Sequence, residues 1–130
     1  DYMARNFREK GYTAETILKH AYFRLIGSRP IDAPNLAGAR QRARIETLST
    51  PHENYHSVLL WGELVRAVHA STGRCWCPAF AAEFMRRVQG VYQVWWIEMR
   101  YRPDIATIDE AQQLLDDVSW LRTNHPNLWR

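Results

Sequence analysis

His52-Glu53-Asn54-Tyr55-His56 places two histidines four residues apart with a glutamate between them. On a helix, that spacing puts both imidazoles on one face, where they can hold zinc while the glutamate activates a metal-bound water. Glu63 lies two turns beyond His56 on roughly the same side and supplies a conceivable third ligand. The chemistry implied is that of a small zinc-dependent hydrolase. A local explanation competes with it. Thr50-Pro51-His52-Glu53 reads as an N-cap hydroxyl, a proline at the first helical position and a glutamate at the third. Glu53 then serves the cap, and His52 sits in the exposed first turn.

The wider context also favours capping. Zinc-protease helices usually carry the motif in mid-helix among apolar residues, and this chain is similar to them over five residues only. Asn54 stands where a hydrophobic residue is usual, and no downstream ligand motif follows. The expectation is therefore no metal and no cofactor, with His52, His56 and Glu63 as the residues to watch.

Cys75 and Cys77 are separated by Trp76 alone. A disulfide across one residue demands a strained ring, so reduced thiols are expected. Cys77 stands at an expected helix start, the setting of reactive thiols. The structural alternative is preferred: both thiols and Trp76 pack their loop against the core.

Arginine dominates the basic residues, with lysine only at positions 10 and 19 among 17 cations. Arg40, Arg42 and Arg44 form the tightest group. On a helix Arg40 and Arg44 project together, while Arg42 points to nearly the opposite side. With Lys19, Arg24 and Arg29 they offer a positive surface for phosphates, and Arg86-Arg87 adds a second cluster. Trp95, Trp96, Tyr101 and Trp129 would provide stacking faces if exposed. Trp95 and Trp96 are consecutive, so they cannot both face one core layer. Either their helix is enclosed all round, or one tryptophan reaches a binding surface. Arginine and tryptophan are also the residue types that dominate protein interfaces. Acidic residues such as Glu46, Glu83 and Glu98 interleave the arginines, which weakens the phosphate reading.

Other chemistries find little footing. No serine lies in a glycine-flanked elbow, and the scattered glycines form no phosphate loop. Asp109-Glu110 is explained by helix capping, and Asp116-Asp117 by the polar side of a helix.

Proline and glycine punctuation marks the elements that must position these groups. A first helix is expected from a Thr13 cap to about Ile26, with Gly27 as its stop. A short second helix begins near Pro34 and carries the three arginines outward. The third runs from Pro51 to about Ala70. The fourth runs from Pro78 to about Arg100, with Phe80, Phe84, Val88, Val91, Trp95 and Met99 along one stripe. Its apolar breadth makes it the expected centre of the bundle. Thr107 to Glu110 is a capping box opening a fifth helix, which Asn124-His125-Pro126 closes.

At 130 residues, 46% apolar and 24% charged, the chain suits one domain, residues 1–130, with a real core. Arg, Glu or His interrupts every apolar stretch, so no membrane span is expected. Asp1–Lys10 is polar with no apolar h-region, so no signal peptide is visible, and the reduced thiols point to a cytoplasmic setting. No period-two strand stands out. The reading is an all-α, compact bundle of about five helices without β-sheet. It is expected to act as a non-catalytic binding or regulatory module on a protein partner or as a homo-oligomer, using Arg40, Arg42, Arg44, Arg86, Arg87 and Trp96. The rival is a nucleic-acid-associated protein working through the Arg40, Arg42 and Arg44 helix.

Overall fold

The computed structural model describes residues 2–27, 58–71, 76–95 and 107–130. Five helices occur there, and no strand: α1 (Tyr2–Ile26), α2 (Val58–Ser71), α3 (Pro78–Val94), α4 (Ile108–Thr123) and α5 (His125–Trp129). The expected second helix, and the Thr50-Pro51 start of the third, lie outside the described residues.

One apolar stripe per helix builds the core. Ala14, Leu18, Ala21 and Tyr22 of α1 recur at three- and four-residue steps. They meet Val58, Trp61, Leu64, Val65 and Val68 of α2. Phe84, Val88 and Val91 from α3 join Leu114, Val118 and Leu121 from α4 in the same cluster, and Leu128 of α5 closes its end. Helix α1 packs on α2, α4 and α5, whereas α3 packs on α2 and α4. Helix α4 likewise packs on three helices, α1, α3 and α5, so among the described residues α1 and α4 share the central position. Helix α3, expected there, keeps a solvated side at Arg86, Gln89 and Gln93.

Two boundaries follow their capping chemistry. Thr107 Oγ1 accepts from the Glu110 backbone N–H at 3.1 Å, and Glu110 Oε1 accepts from the Thr107 N–H at 2.9 Å. Both halves of the expected capping box are thus present, with Asp109 and Glu110 in the positive first turn. Thr107→Ala should cost about 1 kcal/mol in a denaturant titration. At the other end of the bundle, α1 stops at Gly27, whose φ of 75° is a left-handed conformation that side chains avoid.

Two boundaries differ from expectation. Helix α1 begins at Tyr2, so Thr13 caps nothing. Its hydroxyl donates instead to the Glu9 carbonyl at 2.8 Å, and that of Thr16 to the Tyr12 carbonyl at 2.9 Å. Residues Ala4 to Lys10 include good helix formers, and their propensity extends the helix without an apolar stripe. Helix α3 ends at Val94, short of Arg100. Trp95 leaves helical geometry (φ −105°, ψ 80°) while its N–H still donates to the Val91 carbonyl at 2.6 Å. This turn sends the indole inward over Gly11 of α1, where Trp95 is buried.

Candidate binding surface

The described arginines of α3 are held in a relay of charged hydrogen bonds that ties α3 to α4. Arg86, at i+3 from Glu83, donates through Nε to Oε2 at 2.9 Å and through Nη2 to Oε1 at 2.6 Å. Arg87, at i+4, donates through Nε to the same Oε1 at 2.8 Å. Its Nη1 reaches across to Asp117 Oδ1 on α4 at 3.0 Å. The two guanidiniums hold the Glu83 carboxyl down to about 2, mainly through hydrogen bonds from Arg86 and then Arg87. The same bond with Glu83 raises Arg86 further above its ordinary value.

These neighbouring arginines have different surroundings. The Arg86 side chain is 62% exposed, against 21% for Arg87. Arg87 closes a buried interhelical pair, since the Asp117 side chain is only 8% exposed. Desolvation pushes Asp117 above the usual carboxylate range despite the Arg87 bond that opposes it. Arg86 therefore stands at the surface, and Arg87 cross-links two helices. Arg86, Gln89, Gly90, Gln93, Gln113 and Asp117 line a polar groove between α3 and α4. Asp116 and Trp120 line a second depression together with Arg87.

The other expected groups are distributed differently. Glu63 is half-buried on α2, and desolvation raises its carboxyl while Arg66 opposes the rise. Among the described residues, no three His, Cys, Asp or Glu side chains are grouped to hold a metal. Arg40, Arg42, Arg44, His52, His56, Trp96, Tyr101 and Cys75 lie outside the described residues. Trp95 is no stacking face: it is 1% exposed, and its Nε1–H donates to the buried Glu15 Oε1 at 3.0 Å. Lys19 lies 3.8 Å from Glu15 Oε2, and the Arg24 guanidinium stacks 4.4 Å from the Trp129 ring centre. Cys77 is exposed, contrary to its expected packing role. Trp76 does pack inward, against His69, Phe80 and Phe84.

A histidine pair went unnoticed in the sequence. His20 Nδ1 and His125 Nε2 lie 2.9 Å apart, joining α1 to α5. Such a contact needs one proton between two nitrogens, so one imidazole donates and the other must accept. Trp76 Nε1–H donates to the Asn127 carbonyl at 3.2 Å, and His69 Nε2 lies 3.3 Å from the Arg130 carbonyl. Desolvation, and then the charge of His20, hold His125 below its ordinary value of 6.5. The unfolded chain therefore binds more protons in mild acid, and stability falls as pH drops below 6.5. Thermal melts between pH 7 and 5 should show this decline, and His125→Gln should flatten it.

No helix among the described residues is long and apolar enough to cross a membrane. Set against protein-family models, curated proteins and solved structures, the chain matches none. Function must be argued from the surface itself.

Proposed function

We propose that this chain is a non-catalytic helical binding module whose arginine-bearing face meets a protein partner or a second copy of itself. The charge balance of the α3–α4 face supports this reading best. Glu83 engages both oxygens with Arg86 and Arg87, and Asp117 takes the remaining reach of Arg87. A polyanion would have to compete with carboxylates for both arginines, whereas nucleic-acid surfaces need cations free to neutralise phosphates. A face of exposed Arg86 and glutamines beside a sunken carboxylate offers both donors and acceptors, as a polar protein contact requires.

Arg86→Gln tests the choice. Heparin retention should barely change, because this arginine is already neutralised by Glu83. Sedimentation velocity of the protein isolated with its partner, or of its own oligomer, should show dissociation for Arg86→Glu. A large loss of heparin retention in Arg86→Gln, with association intact in Arg86→Glu, would overturn the assignment.

A further inference from the structure

His20 of α1 and His125 of α5 present ring nitrogens to each other at 2.9 Å, across 105 positions of sequence. Buried Ile17 and Ala21 hold the turn of α1 that carries His20. His125 opens α5, which is tied down by buried Leu128 and by the Trp76 indole N–H donating to the Asn127 carbonyl at 3.2 Å. Anchored backbone therefore delivers both imidazoles, whose rings meet edge-on with centroids 4.8 Å apart. Both residues are half-buried, so water still reaches the pair.

A proton is one way to join two such nitrogens, and a metal ion is the other. A neutral imidazole can carry its proton on either nitrogen. With the protons on His20 Nε2 and His125 Nδ1, both facing nitrogens present lone pairs, as ligation requires. Imidazole suits copper, nickel and zinc, and the spacing selects among them. With bonds of about 2.0–2.1 Å, nitrogens 2.9 Å apart subtend about 90° at the ion, the angle between neighbouring ligands of square-planar and tetragonal copper(II) or nickel(II). A tetrahedral ion needs them about 3.3 Å apart. The cation beside the pair is engaged elsewhere: Arg24, one turn after His20, stacks 4.4 Å from the Trp129 ring centre.

We infer that His20 Nδ1 and His125 Nε2 form a two-histidine chelate for one copper(II) or nickel(II) ion, with water in the remaining positions, and that the ion staples α5 to α1. A helix of five residues has little stability of its own, so its docking depends on such ties. An ion that binds only the docked form stabilises that form by mass action. Neither histidine lines the α3–α4 groove. The inference is thus independent of the protein-binding reading, and chelation strips the ion without dissolving a complex formed at that groove.

Nickel(II) is the probe, because copper(II) also oxidises thiols and Cys77 is exposed. His52 and His56 are a competing pair by their spacing, so calorimetry uses the metal-free full chain carrying His52→Ala and His56→Ala. Saturable binding of one nickel(II) ion is expected at neutral pH, with magnesium(II) inert because it seeks oxygen ligands. On that background His20→Gln and His125→Gln should each weaken binding by at least about tenfold. Saturating nickel(II) should raise the urea midpoint of the background chain and of neither glutamine variant. Amide NMR of the unsubstituted chain gives a readout that needs no variant to fold: nickel-induced changes should include the residues around both His20 and His125. Absence of saturable binding, equal affinity in either glutamine variant, or NMR changes that spare α1 and α5 would overturn the inference.

Discussion

Trp61→Ala is expected to remove about 3–5 kcal/mol of folding stability, the range for emptying a large aromatic site in a core. Trp61 is 0% exposed and lies on the α2 face that meets α1. Its ring stands edge-on to Tyr22 at 5.5 Å between centroids and tilted against Phe23 at 5.8 Å. All three rings belong to one aromatic layer, so the deletion leaves a void that helical backbones on both sides cannot close. A domain of this size has about 5–15 kcal/mol in all, which makes the loss a large fraction. Urea unfolding should show a much lower midpoint with little change in slope. Ile108→Ala is the control: at 74% exposure its midpoint should stay within about 0.5 kcal/mol of the parent.

Gly11→Ala should destabilise by about 2–3 kcal/mol, against the sign that helix propensity alone would give. In a helix interior, alanine is favoured over glycine by about 1 kcal/mol. Here the added methyl would lie 2.1 Å from Trp95 Cδ2 and 2.2 Å from Cε2. The indole cannot retreat easily, since Tyr12 contacts it edge-on at 5.3 Å and Glu15 accepts its N–H. Overpacking therefore exceeds the propensity gain. The coupling is checked by a double-mutant cycle with Trp95→Leu, in which Gly11→Ala should become nearly neutral. Additive losses would show that the indole does not set the cost.

The parts of this fold legible in the sequence are those encoded within a few residues. Thr107 and Glu110 are three apart, and their reciprocal capping follows from residue type alone. Cys77-Pro78 marks the start of α3, and Gly27 the end of α1, for equally local reasons. The stripe of Phe84, Val88 and Val91 is buried as its spacing implies. The first turns of α1 offer only Tyr2, Met3 and Phe7 before the polar run Arg8-Glu9-Lys10, and that break in the pattern is what makes Thr13 read as a cap.

Partners distant along the chain were not legible. Asp117 reads as the polar side of α4, yet it is buried because Arg87, 30 positions away, reaches it across the helix interface. His125 reads as part of a terminator, but it meets His20 across 105 positions. Trp95 lies on a helical stripe, and only the position of Gly11 on another helix explains its inward turn. Of the surface, Arg86 and Arg87 were visible as an adjacent pair. Their division into an exposed arginine and an interhelical link depends on where Glu83 and Asp117 stand.

The most direct test of the central claim is native mass spectrometry of the chain purified from its own cells, before and after mild chelation. The account predicts a discrete homo-oligomer or protein complex that chelation and nuclease leave unchanged, and that Arg86→Glu converts to monomer. A monomer carrying stoichiometric zinc that His56→Ala removes, or a complex whose extra mass nuclease digests, would contradict it.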